Sequence, residues 1–477
     1  MTDIKMIGIV FCHELQKQAR SRTLRLLGPL LLLLTLLVAA AHWQQQRDFT
    51  EMQAYWQAEN DAAWQAQPDR HPHRVAHYGT MAFRTLSALN FLDAGVNPFV
   101  GNALFLEAHR QNSSHFRQYM HSTAYMGLGY LSAATIILVL WPLVLVTIAF
   151  ASISQERERG TLSLLLSMGV SLRQLWLGKA AAYLLISVLF LLMIFAIAVL
   201  FMASDSSAAV DMTRLFVLFV LYLGYSLIWI MLILTLSQYA ATSYQALLQA
   251  VLLWAVLVVM LPKLIFSLGA HWYPMPDRAS FEAQLEQLIA EVGDSHNPDD
   301  PHFSAFRQSV LDEYGVSSVE DLPVNWRGLV MTEGERITSE VFNEQYQQLL
   351  QQAERQNRLF RGFALLSPYM LTAELSSRLA ASDAASFYFF EVQAESYRYE
   401  LIQQLNQLHT HEVDLAHDRQ TRLSQDFWQN FEMFELPEQS LGQSLQQGTA
   451  LIVTWLVWLL LLSGLGGRYN RSRGARA

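Results

Sequence analysis

Six stretches of about 18 to 28 residues that carry almost no charge constrain the fold of this chain more than any other feature. A bilayer core of about 30 Å is crossed by roughly 20 helical residues, because each residue rises 1.5 Å. Each stretch is therefore predicted to be a transmembrane helix. The six helices are expected at 24–41, 124–151, 180–203, 213–237, 244–268 and 448–465. The predicted fold class is an all-α polytopic membrane protein.

The orientation of these helices follows from the Lys and Arg residues near their ends, which favour the cytoplasmic side. With the N-terminus inside, the segments 1–25, 152–179 and 466–477 carry 13 Lys and Arg residues. Within about 15 residues of the outer ends there are only five such residues. Both termini are therefore predicted to be cytoplasmic, with a basic tail at 466–477. The expected location is the bacterial cytoplasmic (inner) membrane.

Residues 1–23 precede the first apolar stretch and have an amphipathic pattern. Ile4, Ile7, Phe11 and Leu15 recur at spacings of three and four, which predicts one apolar helical face lying on the inner membrane surface. The small residues at 38–41 resemble a signal-peptide cleavage site. The 23 residues that precede the apolar stretch are long for the n-region of a signal peptide, and the stretch is long enough to span, which favours an uncleaved anchor.

Two long segments are predicted outside the membrane on the extracytoplasmic side, 42–123 and 269–447. The second is expected to be a mostly helical domain, because apolar residues recur at helical spacing near 342–350 and 401–408. Residues 270–445 contain 28 acidic and 11 basic side chains. This charge is typical of an exposed, soluble domain, and attraction of a cationic substrate or partner is the alternative.

The first of these segments contains half of the 14 histidines in the chain. His71, His73 and His77 are weak candidates for a metal site, since imidazole binds Zn²⁺ and Cu²⁺. Their spacing matches no closed zinc motif, and the single cysteine, Cys12, lies elsewhere in the chain. No metal is therefore predicted, and hydrogen-bonding histidines are the favoured interpretation.

Motifs typical of ATPases, serine hydrolases and metalloproteases are missing from the sequence. No G-x-x-x-x-G-K-[ST] loop, G-x-S-x-G elbow or H-E-x-x-H pair occurs, so the chain is predicted not to be an enzyme. A net charge of −9 without a basic stripe argues against nucleic-acid binding. The predicted spans also lack ionisable residues at mid-depth, where proton or ion relays place them. Energy for any transport is therefore expected from another chain.

Uncharged polar residues do occur within the predicted spans. They are expected either to line a translocation path or to join helices by hydrogen bonds, and the second is the more common arrangement. The candidates for the path are Tyr183, Tyr222, Tyr225, Ser226, Gln245 and Gln249.

The cytoplasmic segment 152–179 has a pattern suited to docking on a partner. Alternating charges at 156–159 precede a glycine, and Leu162, Leu165 and Leu166 then follow on one side of a short predicted helix. This segment resembles the E-R-E-x-G-T-L-x-x-L-L-S stretch of ABC-2-type permeases, the exporter class of ABC transporter membrane subunits. The matching residues are Glu156, Arg157, Glu158, Gly160, Thr161, Leu162, Leu165, Leu166 and Ser167.

A second resemblance points to a branch of that family with large outer domains and poorly defined function. It lies at residues 77–79, 92–98, 106–112, 367–368, 375–376 and 395–398. The family resemblance implies that segment 152–179 is the coupling helix that inserts into a separate ATPase subunit. Glu156 and Glu158 are then expected to meet basic or backbone donors on the ATPase, and Arg157 and Arg159 to hold the turn. The proposed coupling residues are Glu156, Arg157, Glu158, Arg159, Gly160, Thr161 and Leu165.

The implied assembly contains two permease chains, identical or paralogous, and two ATPase subunits that bind ATP and Mg²⁺. This chain itself is expected to hold no cofactor. The leading functional hypothesis is an ATP-driven exporter permease. The alternatives are a mechanotransmission subunit, whose outer domain regulates an envelope partner without transport, and a membrane sensor or metal-handling protein.

Overall fold

The computed structural model of the chain describes residues 3–112, 131–203, 211–295, 297, 299–446 and 448–465. Helices account for 75% of the residues and strands for 3%, which confirms the all-α fold class. Five helices are long and apolar enough to cross a membrane, and a sixth apolar helix near the C-terminus is shorter. The predicted tail at 466–477 and the start of the second span at 124–130 lie outside the described residues.

Within the described residues, the apolar part of the protein contains seven longer helices. Two short helices lie in the connection between the second and third spans. Together these helices are α1 (Asp3–Arg20), α2 (Arg22–Gln65), α4 (133–149, with a π-helical turn at Ile136–Leu140), α5 (Ser154–Glu158), α6 (Thr161–Ser167), α7 (Leu172–Ala203), α8 (Met212–Tyr239), α9 (Ser243–Trp272, with a π-helical turn at Ala255–Met260) and α16 (Thr449–Leu465).

The first span is part of a much longer helix than the sequence predicts. α2 runs for 44 residues, about 66 Å at 1.5 Å per residue, and so exceeds a bilayer core about twofold. No Gly or Pro follows Gly28 and Pro29 until Pro68, so nothing in the sequence ends the helix at Ala41. The predicted segment 42–123 therefore begins in the middle of a helix.

The third span likewise begins earlier than predicted, at Leu172 instead of residue 180. The Ser171 hydroxyl accepts a hydrogen bond from Gln174 N, and the Gln174 side chain accepts one from Ser171 N. This reciprocal pair is a capping box, which satisfies two backbone donors at a helix start. Two turns of the predicted cytoplasmic segment thus belong to α7.

The remaining helices belong to the two long segments, α3 to the first and the others to the second. They are α3 (Pro72–Tyr78), α10 (Arg278–Val292), α11 (Pro301–Tyr314), α12 (Trp326–Ala364), α13 (Pro368–Leu379), α14 (Ala384–Glu412) and α15 (Leu441–Gln446). Side chains of Asp277, Asp300, Asn325, Ser367 and Asp383 cap the starts of α10 to α14, which explains why each of these helices begins where it does.

A small antiparallel sheet interrupts the first segment. Its strands are β1 (Thr80–Phe83), β2 (Ala103–Glu107) and β3 (Arg110–Gln111), in the order β1-β2-β3. Thr80 pairs with Leu106, and Leu106 also pairs with Gln111. The sequence analysis did not predict this sheet, because its strands are only two to five residues long.

The two long segments pack together and share hydrophobic cores. One core joins Trp64, Val75 and Ala108 to apolar residues of α14 and to Trp428. A second joins β1 and β2 to Phe387 and Phe390 of α14. α13 continues into the core of the apolar helices, where Met370 and Leu371 are buried. The two long segments therefore form one unit that packs against the ends of the apolar helices.

Candidate coupling site

The connection between the second and third spans folds into two short helices separated by a tight turn. Gly160, with φ of +71°, stands between α5 and α6, and Gly169, with φ of +85°, follows α6. No atom lies within 4 Å of the place where a Cβ would stand at either glycine. These positions therefore require glycine for its backbone conformation and not for lack of space.

Arg157 joins this connection to the end of the fourth span, α8. Its two terminal nitrogens donate hydrogen bonds of 2.5 and 2.6 Å to the carbonyl oxygens of Ala240 and Gln238. The last carbonyls of a helix lack partners within the helix, and they carry its partial negative charge. The guanidinium group gives these carbonyls hydrogen-bond donors and also places a positive charge beside them, so Arg157 attaches α5 to the end of α8.

Glu158 joins the same connection to the start of the fifth span, α9. Its carboxylate accepts hydrogen bonds from the backbone N and the hydroxyl of Ser243, at 2.9 and 2.5 Å. These hydrogen bonds lower the pKa of the exposed Glu158 side chain. A carboxylate at a helix N-terminus is stabilised by the positive end of the helix dipole.

Glu156 joins the connection to α7 and, through it, to α1. Its carboxylate accepts a hydrogen bond of 2.5 Å from the Thr161 hydroxyl and lies 3.6 Å from Lys179 Nζ. Lys179 in turn lies 2.9 Å from Glu14 of α1. Burial opposes ionisation of Glu14, but the charges of Lys179 and Lys17 and the hydrogen bonds from Lys179 and Gln18 together outweigh it and lower the pKa of Glu14 to about 2. The three charged groups thus form a chain from α1 to α5.

Close backbone contact between α1 and α7 supports this network. A Cβ at Gly178 would lie 2.7 Å from Val10 side-chain atoms and 2.8 Å from the carbonyl oxygen of Ile7. Only glycine fits at this crossing. The sequence analysis missed Glu14 and Lys179 as members of the site, although an acidic residue in the amphipathic N-terminal helix and a lysine at a span end were visible signals.

The outward surface of α6 has no contact that buries a side chain. Leu164 is 59% exposed and Met168, just after the helix, is 70% exposed, whereas Leu162 and Leu165 are half-buried against the spans. Arg159 is also exposed. Exposed apolar side chains beside a rigid turn are typical of a docking surface.

The structure changes the expected roles of the two glutamates. The sequence predicts donors on the ATPase for Glu156 and Glu158, yet both carboxylates already have donors within the chain. Arg157 holds the segment, as the sequence analysis expects, and it does so against α8. The residues that project away from the chain here are instead Leu164, Met168 and Arg159.

The candidate path residues are mostly packed inside the bundle of helices. Tyr183, Tyr222, Tyr225 and Ser226 are at most 1% exposed. The Tyr183 hydroxyl bonds to Glu14 and Ser152, and the Tyr222 hydroxyl bonds to Ser376. The Tyr225 hydroxyl donates to the Leu138 carbonyl, and the Ser226 hydroxyl donates to the Tyr222 carbonyl. The tyrosine contacts join helices, which is the second of the two roles predicted from sequence, whereas the Ser226 bond lies within α8. Gln245 is exposed and Gln249 half-buried on α9.

The three histidines named as weak metal candidates separate into two groups. His73 and His77 lie together with His109, whereas His71 lies with His409 and Asp418 of the second segment. His71 also caps α3, because its Nδ1 accepts a hydrogen bond from His73 N. The sequence missed His109 and His409, because neither is near the others along the chain.

Comparisons with known families agree with this architecture. Residues 97–277 match the family model described as ABC-2 family transporter protein. Residues 279–436 match a domain of unknown function, DUF3526. No curated protein matches the chain. The first match contains the candidate coupling site and α4 to α9, and the second contains α10 to α14. Residues 97–277 are therefore similar to ABC-2 family transporter proteins, which supports a multi-pass membrane component of an ABC transporter, and a DUF3526 domain follows in the second half of the chain.

Proposed function

We propose that the chain is the permease subunit of an ATP-driven exporter and that α5 and α6 transmit the movement of a separate ATPase subunit into the spans. The observation that supports this most strongly is the attachment of one short connection to three different spans. Arg157 binds the end of α8, Glu158 binds the start of α9, and Glu156 reaches Lys179 of α7. A force on α6 would therefore reach three spans through charged hydrogen bonds.

In this proposal the ATPase contacts α6 through apolar and not acidic side chains. Leu164 and Met168 project outward on the side of α6 that faces away from the spans. Closure of two ATPase subunits on ATP would displace α6 as a rigid body. The assembly would contain two permease chains and two ATPases, with both termini of this chain in the cytoplasm of a bacterium and the DUF3526 domain outside the inner membrane.

The first experiment is purification of the tagged full chain in mild detergent, followed by mass spectrometry of the proteins that elute with it. A stoichiometric ATP-binding-cassette subunit is expected. The double variant Leu164→Asp/Met168→Asp should lose that subunit, because it places charge on the proposed contact. Tyr314→Asp, at an exposed aromatic residue of α11, is the matched control and should retain it. Absence of any ATPase from the wild-type preparation would refute the proposal.

A second variant separates docking from transmission. Arg157→Ala/Glu158→Ala removes the bonds to α8 and α9 but leaves the exposed side chains of α6 in place. We expect this variant to retain the ATPase and its hydrolysis while losing transport. If transport persisted at the wild-type rate, α5 would not be the transmitting element.

A second function is favoured by α2. This helix continues from the apolar part to Gln65, and Trp64 near its end donates a hydrogen bond to the Trp428 carbonyl in the DUF3526 domain. Such a continuous helix suits a mechanotransmission subunit, in which hydrolysis moves the outer domain to regulate an envelope partner and nothing crosses the membrane. The buried, bonded tyrosines of the spans also suit this function.

The two functions differ in their dependence on the outer half of α2. Ala54 is exposed in that half, so Ala54→Pro would break the helix without disturbing a core. Mechanotransmission predicts that this variant keeps ATP hydrolysis but loses every nucleotide-dependent change in proteolytic sensitivity of residues 279–436. Transport through the spans predicts that substrate-stimulated hydrolysis survives the substitution. Ala54→Ser is the control, because serine leaves α2 intact.

A further inference from the structure

Three histidine side chains converge where α3 meets the turn between β2 and β3. His73 and His77 are four residues apart on α3 and therefore share one face of the helix. His109 enters from the turn, and one ligand nitrogen from each residue lies within 4.8 Å of the others. The ring centroids of His73 and His77 are 4.6 Å apart, and those of His77 and His109 are 5.4 Å apart.

A buried carboxylate fixes the orientation of the third imidazole. Glu335 of α12 accepts a hydrogen bond from the backbone N of His109 at 3.0 Å, and its Oε2 lies 3.3 Å from His109 Nδ1. Arg398 holds the same carboxylate at 2.5 Å. With Nδ1 directed to the carboxylate, Nε2 becomes the ligand nitrogen of His109. Histidines that bind metals typically donate their other N–H in this way.

The first imidazole is half-buried, and one of its nitrogens is buried without a hydrogen bond. His73 Nδ1 has no partner among the residues that the structure describes. Buried nitrogens without partners are rare in folded proteins and call for an explanation such as a ligand.

We propose that His73, His77 and His109 bind one divalent transition-metal ion of the zinc or copper class. Imidazole is a preferred ligand of both ions. Tetrahedral coordination at about 2.05 Å requires nitrogens roughly 3.3 Å apart, so small side-chain rotations would bring the three nitrogens into place. His77 is exposed, which leaves the fourth position of the ion open to solvent. The site is therefore accessible and exchangeable, unlike a closed structural zinc site.

The neighbouring group of His71, His409 and Asp418 is better explained without a metal. Asp418 Oδ1 accepts hydrogen bonds from His409 at 2.8 Å and from Asn325 at 2.9 Å, and Oδ2 accepts one from Arg327 at 3.0 Å. These donors already occupy the carboxylate. His409 also contacts His71, with ring centroids 4.4 Å apart. This group lies beside the proposed site, since the ring centroids of His409 and His73 are 6.4 Å apart.

The proposal is tested by metal binding to the full chain in detergent, purified with a histidine-free tag and treated with a chelator. Zn²⁺ and Cu²⁺ are titrated by calorimetry, and Co²⁺ is added as a spectroscopic probe of coordination. We expect one ion per chain and Co²⁺ absorption bands of a tetrahedral site. His77→Ala should weaken binding at least tenfold, because this exposed side chain is a ligand. His411→Ala, another exposed histidine, should bind as the wild type does.

Thermal unfolding provides a second readout that is independent of ATPase or transport activity. A bound ion should raise the unfolding midpoint of the wild type but not that of His77→Ala, because only the native site binds it. His109→Ala should show the same loss. Substoichiometric binding by the wild type, or binding that is unchanged in both variants, would overturn the proposal. Neither result bears on the proposed coupling role of α6.

Discussion

Lys179 Nζ lies 2.9 Å from the Glu14 carboxylate, and the two side chains are 2% and 0% exposed. The Glu14 carboxylate also accepts hydrogen bonds from Gln18 and Tyr183. This buried pair attaches the N-terminal helix α1 to the base of α7. It therefore lies between the N-terminus and the candidate coupling site, where Lys179 also faces Glu156.

Removing one member of this pair should destabilise the protein strongly. Glu14→Gln or Lys179→Met leaves the other charge buried without its partner, which costs about 3–5 kcal/mol. The double variant Glu14→Met/Lys179→Met should recover much of that loss, because no charge then remains buried. The measurement is the thermal unfolding midpoint in detergent. Lys5→Met, at an exposed position of α1, is the control and should change stability little.

The contribution of Glu14 should depend on pH with a definite sign. Its pKa is about 2 in the folded chain against 4.5 for a free side chain, so ionisation of Glu14 stabilises the folded state above pH 4.5. This shift corresponds to about 3 kcal/mol. The stability difference between wild type and Glu14→Gln should stay constant from pH 7 to about 4.5 and shrink as the pH falls towards 2. A difference that grew on acidification would contradict this assignment.

Gly224 should be irreplaceable in α8. A Cβ at this position would lie 2.0 Å from the Trp455 ring, so the indole of α16 rests directly on the glycine backbone. Gly224→Ala is expected to destabilise the protein by about 1–3 kcal/mol through overpacking. Limited proteolysis near residue 448 should show increased cleavage, because α16 is displaced. Gly362→Ala, in α12, meets no atom within 4 Å and should stabilise the helix slightly.

Asn325 should be important for the DUF3526 domain because it combines two roles. Its Oδ1 caps α12 by accepting from Arg327 N, and its Nδ2 donates to Asp418 and to the Val413 carbonyl. Asn325→Ala should cost about 2–4 kcal/mol, the sum of a lost cap and buried groups left unpaired.

Asn325→Asp tests which of these roles dominates. The substitution preserves the capping oxygen but places a second carboxylate 2.9 Å from Asp418. If the hydrogen bonds donated by Nδ2 matter most, the unfolding midpoint of Asn325→Asp should fall at least as far as that of Asn325→Ala. A midpoint close to wild type would show that capping alone accounts for the effect.

Five of the predicted spans coincide with helices that are long and apolar enough to cross a membrane, because the cost of burying charge in lipid is local to each segment. The ends of these helices were less predictable. α2 and α7 extend beyond the apolar runs, since helix termination depends on caps and breakers such as Ser171 and not on hydropathy. The segment proposed to couple to the ATPase was identified from a contiguous motif. Its partners Glu14 and Ser243 were not, because only the tertiary fold brings Glu14 to Lys179 and Ser243 to Glu158.

The histidine cluster, too, was predictable from the sequence only in part. His73 and His77 are visible in the sequence as an i, i+4 pair, but the spacing alone left their role open. His109 and its orienting residue Glu335 are 226 positions apart, and no local pattern connects them. The sheet that presents His109 was missed for the same reason, since its strands gain their stability from α14.

The core shared by Trp64 and Trp428 has a consequence for the biogenesis of the protein. Ribosomes add about 5–20 residues per second, so roughly 20 to 70 seconds separate the synthesis of these two tryptophans. Throughout that interval, the apolar residues of the first segment have been made but the surface that covers them has not. The nascent chain should therefore depend on a chaperone at its site of insertion, and truncation before residue 428 should yield a product that is degraded and not a smaller folded protein.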